Sequence, residues 1–225
     1  MVLAELALAP VAIFLVYIYV RDKYEKEPVN LLLTGIFFGA ASTGMVLCLD
    51  YRLDLFEPEG LQIFKDMYSA YVMSAGVEEG VKFLFLFFLV WENKNFNEPF
   101  DGIVYAVFIS LGFAMVENFV YVFNPALGGV RTALSRAVLA VPAHGFFGIS
   151  MGYILSFPKF GLKKGNAAAA FFRPWFLHGT YNFIIFRKNY AYMIIFIPFL
   201  FYLWSQGFYA IEEHLEKSPF KKSVN

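Results

Sequence analysis

The sequence predicts an all-α, polytopic transmembrane helix bundle, and three observations predict it. Of the 225 residues, 59% are hydrophobic and 20% aromatic. Only 16% are charged, well short of the quarter or so that a soluble domain carries. Hydropathy then gives about seven segments long enough to cross roughly 30 Å of hydrocarbon as helices. Breaks containing Pro, Gly or charge separate these segments, among them RDKYEKEP, LFEPEG, ENKNFNEP, NPALGGVR, PKFGLKKG and RKN. The lipid bilayer is therefore the first partner of the chain, and its expected location is the cell membrane.

The first segment, residues 3–20, has no basic stretch before it, and Arg21 and Lys23 follow it. That pattern predicts a retained first helix with its N-terminus outside, not a cleaved signal peptide. The second, 30–49, holds the one cysteine, Cys48, which forms no internal disulfide and reads as a small buried hydrophobe. The third spans 67–91 and the fourth 102–123. In the fifth, 137–157, Pro142 and Gly145 flank His144 and predict a bend where another backbone approaches closely. The sixth, 168–186, is interrupted by Arg173, Pro174 and His178. The seventh, 191–210, presents IIFIPFLFYLW, an aromatic surface expected to face lipid. One transmembrane domain over residues 1–210 and a cytoplasmic tail over 211–225 follow, with His214 of EEHLEK expected as a solvated surface residue.

Basic residues orient the bundle. Counting Arg173 with the fifth connection, the connections after segments one, three and five and the C-terminal tail carry eleven Lys and Arg; those after two, four and six carry six. The positive-inside rule then places the N-terminus outside and the C-terminus in the cytoplasm. The formal net charge of zero leaves no basic surface for nucleic acid.

Four segments carry groups that lipid excludes: Glu78, Glu79 and Lys82; Glu117 and Asn118; His144; His178 and Asn182. A charge at bilayer depth costs roughly 2.5–3.5 kcal/mol on insertion scales, so such groups mark ion paths, proton paths or catalytic sites. Counted from the outer ends of their helices at about 1.5 Å per residue, Glu78 lies about 16 Å deep, Glu117 about 9 Å, His144 about 10 Å and His178 about 12 Å. Helices running in alternating directions thus deliver their odd residues to one layer in the outer half of the membrane.

Each group has a structural reading beside a chemical one. Glu78 and Glu79 lie within one turn of Lys82, which makes either a self-neutralising ion triplet or a general base with its orienting partners. Phe113 is one turn from Glu117 and keeps that carboxylate dry, while Asn118 points to a neighbouring helix. His144 is a satisfied polar residue or a ligand. His178 and Asn182 are helix–helix glue, or an imidazole whose amide neighbour fixes its tautomer or holds an oxyanion. Together they suit a metal site with a general base. No HExxH, GxSxG, phosphate-binding loop or dinucleotide fingerprint occurs.

EExxK in the third segment, GFxxxEN in the fourth, the isolated histidine in the fifth and HxxxN in the sixth together resemble the PrsW family of intramembrane proteases. That family is distantly related to the type II CAAX-prenyl endopeptidases. The resemblance runs from about Arg21 to Phe186 and includes RDKYEKEP. It implies a membrane endopeptidase whose substrate is a single-pass membrane protein of the anti-sigma-factor type, cut near the extracytoplasmic face to start a stress response. It also implies that Glu78 and Glu79 are the carboxylates of EExxK, and that Glu117, His144 and His178 form a two-His-one-carboxylate set for Zn2+. Metal-activated water with Glu78 as general base, Glu79 and Lys82 orienting it and Asn182 at the oxyanion is the expected mechanism. The rivals are a cytoplasm-facing prenyl-protein endopeptidase, a non-catalytic relative, and a proton-coupled transporter, which would bring inverted repeats that the sequence lacks.

Overall fold

The computed structural model describes residues 2–164 and 166–223, so Met1, Gly165 of the fifth connection and the last two residues of the tail lie outside it. The described residues fold as nine α-helices: α1 (Val2–Arg21), α2 (Val29–Leu53), α3 (Gln62–Met67), α4 (Ala75–Val90), α5 (Pro99–Val122), α6 (Val130–Val138), α7 (Ala140–Phe160), α8 (Ala169–Phe186) and α9 (Tyr190–Glu216). A π-helical stretch, Tyr68–Ser74, joins α3 to α4. Five stretches are long and apolar enough to cross a membrane: Val2–Arg21, Val29–Asp50, Pro99–Val122, Val130–Phe160 and Tyr190–Glu216. The all-α polytopic bundle expected from hydropathy is the architecture observed.

The remaining two apolar segments also form helices of the bundle. The third is divided into six-residue α3, the seven-residue π-helical stretch and 16-residue α4. The sixth is the 18-residue α8, which carries Arg173, Pro174 and His178 inside it.

Helix α5 stands at the centre because it is apolar all round, the pattern of a helix enclosed on every side. Every residue from Pro99 to Ala114 is buried. Glu98 caps it in extended conformation and closes a capping box with Asp101, while Pro99 opens the first turn where its missing N–H is not needed. Helices α7 and α2 make its most extensive contacts. Both contacts bring backbone to backbone. A Cβ on Gly152 of α7 would lie 2.0 Å from the Gly102 carbonyl oxygen, and one on Gly39 of α2 would lie 2.0 Å from that of Ile109. Small residues at membrane helix contacts permit this approach, where dispersion replaces the hydrophobic effect as the driving force.

Three local expectations are corrected. The bend expected around Pro142 falls one turn earlier, at Leu139 between α6 and α7 (φ −111°, ψ −61°). Pro142 sits in the first turn of α7, a position proline tolerates. Gly145 then admits a ring instead of a backbone, since a Cβ there would lie 2.6 Å from Phe14 Cζ. Cys48 is exposed on the outer face of α2 rather than buried, because apolar residues of a membrane helix can face lipid as readily as core.

His214 is the third correction. It is 0% exposed, with Nε2 3.1 Å from the Tyr153 carbonyl and its ring 4.6 Å from the Tyr153 ring. The charged pattern EEHLEK suggested solvent, but α9 continues without a break past residue 210 to Glu216 and lays this face on α7. The boundary at 210/211 thus falls inside a helix. Arg21 pairs with Glu212, and Ser218 donates its hydroxyl to Glu98, tying the end of α9 and the segment after it to the end of α1 and the start of α5.

The α5–α7 contact generates a stability test. Gly152→Val must separate two backbones and should destabilise the purified protein by about 3 kcal/mol, at the upper end of overpacking costs. Gly44→Ala, whose Cβ would meet nothing within 4 Å, should leave the unfolding midpoint in detergent nearly unchanged.

Candidate active site

Lys82 is the centre of a buried polar layer. It lies on α4 with a side chain 1% exposed, and Nζ donates to Glu79 Oε1 at 2.8 Å and Glu78 Oε2 at 3.3 Å. It also reaches Nδ1 of His144 on α7 at 3.3 Å and lies 4.0 Å from the centroid of the Phe113 ring on α5. Three polar contacts and one aromatic face therefore receive this ammonium, which lipid or bare core would not tolerate.

The contacts fix both histidine tautomers. An ammonium only donates, so Nδ1 of His144 is the acceptor and its proton sits on Nε2. Nε2 in turn lies 2.9 Å from Glu117 Oε2. On α8, His178 donates from Nδ1 to Glu79 Oε1 at 2.9 Å, which leaves its Nε2 lone pair as the uncommitted one. The two imidazoles stand edge to face, 5.2 Å apart, and Phe147 stacks on His178 at 4.7 Å. Ser110 on α5 donates to the His144 carbonyl at 2.7 Å and holds α7 at this height.

Glu78, Glu79, His144 and His178 each offer a ligand atom within 4.8 Å of the others. Oε2 of Glu79 is buried with no hydrogen-bond partner. Two imidazoles and two carboxylates, one of them with an orphaned oxygen, form a donor set able to hold a metal ion.

Glu117 lies beside this group of four rather than within it. Arg136 on α6 bonds Glu117 Oε2 at 2.6 Å and Asn118 Oδ1 at 2.6 Å, and Asn118 Nδ2 bonds the Ala7 carbonyl of α1 at 2.8 Å. Asn118 thus reaches a neighbouring helix, and Glu117 holds His144 from behind. Asn182 makes its hydrogen bond to another helix rather than to His178. Its Nδ2 donates to Ser74 Oγ at 2.6 Å, and Ser74 donates to Glu78 Oε1 at 3.0 Å, so this amide reaches Glu78 through a serine.

Two of these partners were not singled out from the sequence. Arg136 lies in a connection between apolar runs and was read there only as a loop charge. The amphipathic pattern VRTALSRAV was the available sign of a short helix carrying it. Ser74 is four residues before Glu78, a spacing that places both on one helix face. It belongs to the π-helical stretch, an irregularity common at functional sites. That stretch is held on α8 by a Trp175 Nε1–Tyr71 carbonyl bond of 2.7 Å and by Tyr71–Thr180 contact at 2.9 Å.

A cavity of about 440 Å³ opens over the layer, bordered by Ser74, Glu78, Glu117, Arg136, His144 and His178 and also reaching Asn182. A second, of about 290 Å³, lies between α2 and α5 and is bordered by Asp50, Glu78, Phe113 and Glu117. Glu78 faces both. Glu79 is 0% exposed and faces neither.

Lys82→Met should leave two carboxylates buried without their cation and cost about 3–5 kcal/mol of stability, as for a broken buried pair. Adding Glu79→Gln to that variant should recover part of the loss. Thermal unfolding of the single and double variants checks both statements.

A family model described as PrsW family intramembrane metalloprotease matches residues 27–203. Among curated relatives, the Protease PrsW of Geobacillus kaustophilus is 35% identical over 189 residues, covering 83% of this chain and 81% of the relative. That of Clostridioides difficile is 33% identical over 219 residues, 95% and 91% of the two chains. That of Bacillus subtilis is 32% identical over 222 residues, 97% and 94%. No solved structure matches the chain. With its membrane-crossing helices, buried glutamate–histidine layer and alignment along nearly the whole of these relatives, the chain is a multi-pass membrane protease that belongs to the PrsW family of intramembrane metalloproteases.

Proposed function

We propose that this protease cuts a membrane-tethered, single-pass protein of the anti-sigma-factor type near the extracytoplasmic face, with water as nucleophile and Glu78 as general base. The position of Glu78 carries the reading. It is the carboxylate of EExxK that borders both cavities, so it can meet water, whereas Glu79 is sealed against Lys82 and His178. A base must lie within reach of the proton it takes, and that criterion separates two adjacent residues that spacing leaves equivalent. The outer-side location is supported by the distribution of basic residues and by the Asn118–Ala7 bond, which puts the layer level with the first half of α1.

Each neighbour has a role in this scheme. Ser74 and Lys82 hold the two oxygens of Glu78 in place, one bond each. Asn182 secures Ser74 with one N–H and has a second for the oxyanion that forms at the scissile carbonyl. Glu79 fixes the His178 ring, and Glu117, itself braced by Arg136, fixes that of His144. The uncommitted Nε2 of His178 and the orphaned oxygen of Glu79 would hold Zn2+, joined by His144 Nδ1 when it gives up its contact with Lys82, a two-His-one-carboxylate set with Glu79 in the place first expected for Glu117. When bound, that ion supplies Lewis-acid polarisation of the scissile carbonyl and of its water. The cavity of about 440 Å³ is within the usual range for a bound ligand and takes a short unwound length of substrate.

In proteoliposomes holding a single-pass substrate, Glu78→Gln should lower the cleavage rate by about 10²–10⁴-fold, the usual contribution of a positioned acid–base group. Its thermal unfolding should stay that of the parent protein. Cleavage at the parent rate would remove Glu78 from the role of base. Treatment with a zinc chelator should abolish cleavage and added Zn2+ restore it. Full activity after metal stripping, checked by elemental analysis, would leave water activation to Glu78 without an ion.

A further inference from the structure

A second cluster of carboxylates lies at the other end of α5. Asp101 and Glu117 are separated by about 24 Å along that helix, at about 1.5 Å per residue. Asp22 follows α1, and Glu98 and Asp101 open α5; all three are fully buried, and each offers an oxygen within 4.8 Å of the other two. Glu27 is buried beside them and accepts the Tyr105 hydroxyl. Some of their oxygens have partners: Asp101 Oδ2 accepts the backbone N–H groups of Asn97 and Glu98 at 2.8 and 2.7 Å, Asp22 Oδ2 accepts that of Glu27 at 3.2 Å, and Glu98 Oε2 accepts the Ser218 hydroxyl.

The remaining oxygens are the telling ones. Asp22 Oδ1, Glu98 Oε1 and Asp101 Oδ1 are buried with no hydrogen-bond partner. Among the described residues, no lysine or arginine forms an ion pair with Asp22, Glu27, Glu98 or Asp101. The catalytic layer differs here, since Lys82 and Arg136 neutralise it. The cluster is short of positive charge.

We propose that Asp22, Glu98 and Asp101 bind a hard divalent cation of the calcium or magnesium class, at the end of the bundle opposite the catalytic layer. The donors are the free buried oxygens of Asp22 and Glu98 and the carboxyl of Asp101, which also meets that of Glu27. The set contains oxygen alone, without imidazole or thiolate, which selects against zinc and copper. The ion joins three parts of the chain: the loop after α1, the capped start of α5, and, through the Ser218–Glu98 bond, the segment after α9.

The test is direct binding to the full chain in detergent or nanodiscs, independent of proteolysis. Tb3+ replaces such cations and luminesces when excited through a nearby tyrosine, here Tyr105 beside Glu27. The wild type should give this signal, and Ca2+ or Mg2+ should reverse it. Asp22→Asn/Asp101→Asn should weaken Tb3+ binding by at least about 10-fold; should that variant not fold, Glu98→Gln makes the same comparison. Glu78→Gln/His178→Ala, altered only in the catalytic layer, should keep the signal. No tyrosine-sensitised signal in folded wild type would overturn the proposal and leave a cluster neutralised by protons. So would a signal unchanged by the acid-cluster substitutions, or one abolished by the catalytic-layer pair.

Discussion

Inside an apolar bundle an ammonium must be neutralised where it stands, and Lys82 imposes that requirement on the structure around it. Its partners come from α4 itself, from α7 through His144 and from α5 through the Phe113 ring. Through Glu79 the requirement extends to His178 on α8. The helices are therefore placed relative to one another by charge as well as by shape. A second cation, Arg136, does the same on the far side of His144, drawing α6 onto Glu117 and Asn118. A buried ion network whose members all have partners fixes one arrangement, because any slip leaves a charge unpaired.

The sequence reading recovered the apolar spans because lipid demands long uninterrupted helices, and hydropathy measures that demand directly. It recovered Glu78, Glu79, Lys82, Glu117, His144 and His178 because charges and imidazoles are rare inside such spans, whereas hydroxyls such as Ser74 and Ser110 are common enough there to pass unnoticed. It could not see where a span is interrupted: the π-helical turn before Glu78 and the break at Leu139 leave the hydropathy of their runs unchanged. Nor could it choose partners across helices. The spacing of His178 and Asn182 allows an intrahelical pairing, yet each finds its partner on the α3–α4 side, Glu79 for one and Ser74 for the other. His214 was misread because a charged run resembles a solvated tail until the helix that carries it is seen to dock.

The two ends of α5 solve the burial of carboxylates in opposite ways. Around Glu117 and Asn118, basic side chains and histidines are built into the chain, and the layer is balanced by its own residues. Around Glu98 and Asp101 the described residues supply hydroxyl and backbone donors but no ion-paired lysine or arginine. One helix, buried on all sides for most of its length, connects the two.

The contacts of α5 with α7 and α2 have a consequence for divergence. Where backbone meets backbone at Gly102–Gly152 and Gly39–Ile109, the spacing of the helices is set by atoms that every residue shares. Ordinary side-chain replacements elsewhere on these helices cannot lengthen or shorten that gap, so the heights of Glu117 and His144 are insulated from drift in the surrounding apolar residues. A lineage can exchange Phe for Leu or Ile for Val across most of the bundle while its reacting groups keep their distances. Relatives that agree with this chain at only about a third of aligned positions are what such a mechanically buffered centre allows.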